Sequence, residues 1–357
     1  MTVPATFIDR AIELHERALA AASQARWSEA EQAALESLKL IEAEDGPDSP
    51  DAANVCNLLS RIAEARTDHV DAERHARRAW EIMEQLGSRC TGREAGAIRI
   101  EALGRIGTAL RCAGRYDEAE IWLRKALELA QRDGQQVAGA LNDLGVLYKY
   151  SGNFDEAEHL YNRALEMVEA LGESGSACAA AIYHNLGGLA HARGRFADGE
   201  PYARRAWEIR RALLGPDHPD TLADACAYAA ILDGLGRFEE SEPIYRRALA
   251  KFEEWFGPEH LEIAVNLNNL AAVRHARGDL QKAGRLYCRA LAMKERLLGS
   301  EHPDTALTVL NYASLLWDSG QTEESRSLAG RALSVFELSL PAGHPRIAAA
   351  RELVERH

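Results

Sequence analysis

The residues of this sequence with the chemistry to act on a ligand recur at one interval. His191, Asp233 and His275 follow each other at steps of 42, and so do His218, His260, His302 and His344. His, Asp and His could form a ligand set, but every donor atom must lie about 2 Å from the same ion. If each stands on its own helical unit, consecutive members are offset by roughly 10 Å, set by helix packing distance. No metal site is expected from either series. The second series lies in linkers such as Gly215-Pro216-Asp217-His218-Pro219 and reads as residues that cap or orient the next helix. Nucleophilic catalysis lacks its parts as well: there is no Gly-x-Ser-x-Gly and no phosphate-cradling Gly-x-x-x-x-Gly-Lys. His184 and His191 are two helical turns apart, about 10.5 Å along the axis. The carboxylate pairs Glu239-Glu240 and Glu253-Glu254 read as solvated helix faces. Cys56, Cys90, Cys112, Cys178, Cys226 and Cys288 show no metal-site spacing and read as reduced, mostly buried thiols. Cys112 and Cys226 read as small apolar fillers. Neither an enzyme nor a cofactor is expected.

The elements that carry these residues are set by an internal repeat. Ala206, Ala248, Ala290 and Ala332 mark a period of 42, and the same column runs back through Ala164, Ala126 and Ala79 to Ser37 with steps of 42, 38, 47 and 42. The long step falls in the polar stretch Gly87–Gly92 and the short one near Arg132-Asp133-Gly134. Within each unit small residues recur at fixed offsets, as in Gly107, Ala119, Ala126 and Gly187, Gly199, Ala206. Small side chains are required where helix axes approach to about 8–10 Å. Between the first and second small residue stands a turn such as Gly114-Arg115-Tyr116 or Gly194-Arg195-Phe196, in which glycine ends one helix in the left-handed region and the aromatic ring turns into the core. Apolar residues spaced in threes and fours flank each turn, so every unit is expected to be a helical hairpin.

The Leu144-Gly145-Val146-Leu147-Tyr148 run, the Gly-x-aromatic turn, the Arg-Ala-Leu ending and the Gly-Pro-x-His-Pro-Asp-Thr linker resemble tetratricopeptide repeats of the kinesin-light-chain-like subclass with 42-residue units, a group with many bacterial members. The resemblance covers about residues 54–340. It implies an all-α, right-handed superhelical solenoid of about eight helix-turn-helix units plus a C-terminal capping helix. The expected layout is one array: a degenerate capping unit at 1–46, seven units at 47–343 and a capping helix at 344–357, complete at both ends. Residues Met1–Ala22 read as an amphipathic first helix.

The same resemblance implies that the first helix of each unit lines a concave groove where a peptide or partner segment lies. Register then brings two rows to that groove. Asn57, Asn142, Asp143, Asn185, Asn268, Asn269 and Asn311 form one row, with amides suited to holding a ligand's backbone or, alternatively, bonding the neighbouring helix. Glu64, Arg111, Lys149, His191, Asp233, His275 and Trp317 form the other. Arg111 and Lys149, with Arg105, would make either a basic start that attracts an acidic peptide or a carboxylate or a solvated helix face, and Trp317 either an aromatic anchor or a residue packed under the last helix.

The formal charge of −13 opposes phosphate backbones and anionic lipid, and no apolar run is long enough to cross a bilayer. The resulting expectation is a cytoplasmic scaffold or adaptor that binds a protein or peptide, without nucleic acid or membrane. The alternative is a regulator whose superhelix changes curvature when a peptide binds.

Overall fold

A computed structural model describes residues 7–24 and 26–356. Among them are seventeen α-helices, one short 3-10 turn and no strand, so the all-α hairpin expectation holds. Residues 1–6 of the expected first helix, and His357, lie outside the described residues. The chain divides into two compact units, Met1–Leu147 and Tyr148–His357. The first holds α1 (Phe7–Ala22), α2 (Trp27–Glu44), α3 (Pro50–Ala65), α4 (His69–Leu86), α5 (Arg93–Cys112), α6 (Tyr116–Asp133) and most of α7 (Val137–Tyr150). The second holds α8 (Phe154–Ala170), α9 (Ala177–Ala192), α10 (Phe196–Leu214), α11 (Pro219–Gly234), α12 (Phe238–Phe256), α13 (Leu261–Ala276), α14 (Leu280–Leu298), α15 (Pro303–Asp318), α16 (Thr322–Ser339) and α17 (Pro345–Glu355).

The small-residue columns are where paired helices touch. A Cβ on Gly107 would come within 2.4 Å of Leu123, and one on Gly199 within 2.8 Å of the Ala190 Cβ. Where the column carries serine, the hydroxyl is spent on the partner helix: Ser37 donates to the Ala11 carbonyl, Ser60 to Ala72 and Ser325 to Ala313, at 2.7–2.8 Å. Each is buried, and the bond removes the cost of enclosing a hydroxyl. The turn glycine does its work in the left-handed region, as at Gly194 with φ +69°. It lets the Arg195 amide reach back to the Ala190 carbonyl at 2.8 Å, and the Phe196 ring that follows packs directly on Gly234.

The linker histidines are N-caps. His218, His260, His302 and His344 precede α11, α13, α15 and α17, and in each the ring Nδ1 accepts the backbone N–H two residues on, at 3.1–3.2 Å. Proline supplies the first helical residue in all but α13, where its fixed φ suits the helix and its missing donor costs nothing. The polar insertion before α5 is pinned by Arg99, whose guanidinium donates to the carbonyls of Met83, Gly87 and Cys90 at 3.0–3.1 Å. The short joint after α6 meets the same place, with Gln135 Nε2 donating to the Arg93 carbonyl at 2.9 Å.

One contact in the second unit joins parts far apart in sequence. The buried His344 ring lies against Gly152, where a Cβ would be 2.6 Å from its Cδ2. It meets the Phe154 ring edge-on with centroids 6.2 Å apart and bonds the Tyr150 carbonyl. The start of α17 thus packs onto the turn that opens this unit. No described helix is long and apolar enough to cross a membrane.

Candidate functional site

In the first unit the predicted rows form a charged network. Arg105 Nε meets Glu101 at 3.0 Å and its Nη1 meets Glu64 at 3.3 Å, so this part of the expected basic start is neutralised. Asn142 Nδ2 donates to Asp143 Oδ1 at 3.4 Å, and Arg111 Nη2 lies 3.3 Å from Cys112 Sγ. Burial pushes the Asp143 carboxyl up to about 6, against the opposing pull of the Asn142 bond, Arg105 and Arg111. Asn57 is spent inside the fold: it is 1% exposed and donates to the Ile98 carbonyl on α5 at 3.1 Å.

In the second unit three asparagines form a chain. Asn311 Nδ2 donates to Asn268 Oδ1 at 3.1 Å, and Asn268 Nδ2 donates to Asn269 Oδ1 at 3.3 Å. The inter-helix bond foreseen as the alternative is therefore made, but it uses only part of the row. All three amides stay partly exposed, with the amide nitrogen of Asn269 and the carbonyl of Asn311 at the chain's ends. Asn185 is more enclosed, at 8% exposure.

The second row of this unit is mixed. His191 is exposed, yet its pKa is lowered by burial and then by Lys149. Its ring meets Phe196 edge-on at 5.4 Å. Lys149 reaches over Gly188, whose absent Cβ leaves room for the ammonium at 3.3 Å. Asp233 turns away from a ligand role: it accepts from Ser241 and, at 2.7 Å, from Tyr245. His275 Nε2 pairs with Asp318 at 2.9 Å. Members of the tested metal set are thus each engaged separately. The Trp317 ring carries Arg326 and Arg356 at 5.5 and 5.1 Å, which packs it against the C-terminal segment.

A second polar column escaped the sequence reading. Asp224, Asn266 and Thr308 stand 42 residues apart, all buried on the first helices of their hairpins. Asp224 accepts from Arg210 Nε at 3.0 Å and bonds His184 Nδ1 at 2.7 Å. Asn266 accepts from Cys226 Sγ at 3.0 Å. Nearby, burial raises the Glu262 carboxyl and lowers the Lys294 ammonium, and Lys294 donates to the Asp304 carbonyl at 3.1 Å. The signal was available as polar residues recurring at the repeat interval on apolar faces. Asp224, Asn266 and Lys294 thus tie neighbouring helices together, whereas Thr308 bonds the Asp304 carbonyl of its own helix; the His184–Asp224 pair is fixed by Arg210.

A family model for the tetratricopeptide repeat matches residues 99–170, 178–254, 225–296 and 262–338, and a second model of the same repeat matches 142–211. The chain is a tetratricopeptide repeat protein. No curated protein matches it in sequence. Among solved structures, this repeat protein is similar to a Rap protein complexed with Competence and Sporulation Factor, at 13% identity and TM-score 0.60 over 96% of both chains. It is also similar to the apo form of RapI, at 16% identity and TM-score 0.54 over 80% of this chain and 98% of that one. Nearly identical repeats of a kinesin light chain from Podosopora anserina align at 21% identity and TM-score 0.42 over 56% of this chain and 95% of that one. In tetratricopeptide terms the Gly-x-aromatic turns and the buried small columns are the framework.

Proposed function

We propose that this tetratricopeptide repeat protein is a non-catalytic scaffold or adaptor that holds an extended peptide or partner segment along the first helices of its hairpins. Asn185, Asn268, Asn269 and Asn311 take the backbone, and Lys149, His191 and His275 meet side chains. Arg111 and Asn142 offer the same chemistry in the first unit, and Trp317 ends the row. The observation that carries this reading is the asparagine chain, which presents an amide donor at one end and a carbonyl at the other. Those are the two groups an extended backbone needs. Repeats about 10 Å apart against about 3.3 Å per extended residue give a register of about three ligand residues per repeat. A protein of similar fold has been solved with a bound factor, which supports occupancy of such a framework.

The six cysteines are free thiols, which fits a reducing cytoplasm. The charge of −13 disfavours nucleic acid and anionic membranes as partners. The decisive experiment is capture of partners from source cells by the wild type and by Asn185→Ala/Asn269→Ala. The double variant is expected to lose at least about tenfold of specific capture with helicity unchanged. Equal capture by both proteins would place the interface on another surface.

A further inference from the structure

The first unit opens on an apolar surface that its own helices leave uncovered. Ala11, Leu14, Ala18 and Ala21 of α1 are buried, whereas Phe7, Ile8 and Ile12 are 66, 53 and 52% exposed. With Leu40 and Ile41 of α2 and Val55 of α3, those three wall a cleft of about 210 Å³. Pockets that take a whole small molecule run to roughly 300–1,000 Å³, so this one suits side chains inserted by a macromolecular partner. A contiguous apolar face of this kind on a water-facing helix marks an interaction site.

Charge selects the partner. Glu44, Asp45 and Asp51 stand on the rim, and none has a cation within 4 Å among the described residues. Elsewhere on α2, Glu29, Glu31 and Glu42 each pair with an arginine. The rim therefore carries three uncompensated negative charges around an apolar floor. On that floor His15 keeps a buried Nδ1 with no hydrogen-bond partner, and its ring is held toward the neutral form by burial. The wall contributed by α1 runs from Phe7 to His15, about two helical turns. A helical partner presents apolar side chains at three- and four-residue spacing over the same length.

We propose that this cleft is a docking site for a cationic amphipathic helix, with aliphatic side chains seated between α1 and α3 and Lys or Arg meeting Glu44, Asp45 and Asp51. It shares no residue with the asparagine rows and goes beyond the function proposed for them.

The test is fluorescence anisotropy on the full chain with a labelled Leu/Lys amphipathic peptide and a Leu/Glu peptide of the same pattern. The Leu/Lys peptide is expected to bind, the Leu/Glu peptide to fail, and added salt to weaken binding. Ile8→Ser/Ile12→Ser and Glu44→Gln/Asp51→Asn should each cost at least about tenfold; the altered isoleucines are exposed, so circular dichroism should stay unchanged. No binding, equal binding of both peptides or unchanged affinity in the variants overturns the proposal. So does a gain of about tenfold on removal of residues 2–6, which would make the chain's own end the occupant. A dimer that Ile8→Ser/Ile12→Ser dissolves in sedimentation would make the occupant a second copy and overturn it as well.

Discussion

Thr67 stands in a backbone conformation that its counterparts in six other hairpins give to glycine. Its φ is +62°, against values between +69° and +82° at Gly114, Gly152, Gly194, Gly236, Gly278 and Gly320. Its amide still reaches the Glu64 carbonyl at 2.9 Å, as that of Gly114 reaches Arg111, so the turn is kept and the strain falls on the side chain. A β-branched residue in the left-handed region costs about 1–2 kcal/mol, and the greater freedom of unfolded glycine offsets part of any gain. Thr67→Gly is expected to raise stability by about 1 kcal/mol, read as a higher urea midpoint with unchanged slope; a lower midpoint would mean the threonine is supporting the turn through contacts. The turn column was legible because glycine prints it six times. That threonine takes up the same geometry was not, because its type argues against the conformation. Nor was the asparagine chain legible: register puts Asn268 and Asn269 on α13 and Asn311 at the matching place on α15, but which amide bonds which depends on rotamers.

Among the helices, α17 has the most exacting start. Its cap, His344, accepts the Arg346 N–H on Nδ1, so the neutral ring is the form that holds the helix. Burial, helped by Arg346, lowers its pKa from 6.5 to about 4. The unfolded chain therefore takes up a proton that the folded chain refuses. The associated stability is fully present above pH 6.5 and is lost as pH falls from 6.5 toward 4, amounting to about 3 kcal/mol over that window. His344→Asn keeps a cap acceptor and cannot titrate. The stability advantage of the wild type over this variant should shrink by about that amount between pH 7 and pH 4, measured by urea unfolding at each pH; a constant difference would show that His344 is not the group being protonated. The capping role could be read from the 42-residue register that His344 shares with His218, His260 and His302, and from the proline that follows it. Its second partner, the turn at Gly152, could not, because nothing in local spacing relates a linker to a turn four hairpins earlier.

Within each unit, helices pack mainly on their neighbours in sequence, which is why periodicity alone went so far. A fold assembled from short-range contacts writes its pattern into short-range spacing. Features that cross repeats, such as Arg99 gathering three carbonyls from an inserted loop, leave only a break in the period as their trace. The same locality decides how the second unit comes together. Neighbouring hairpins close small loops quickly, whereas the meeting of His344 with Gly152 and Phe154 spans almost the whole unit and must wait until the intervening hairpins are in place. It is therefore a contact of the finished protein and not of its folding nucleus. Disrupting it with His344→Ala should leave the refolding rate nearly unchanged and speed unfolding in proportion to the stability lost, giving a φ-value near zero. Stopped-flow measurement of both limbs would test this, and a slowed refolding limb would place the closure early. By that reasoning, a contact made last on the way in is the first to release on the way out, and His344 sets how long the second unit stays folded without influencing how fast it folds.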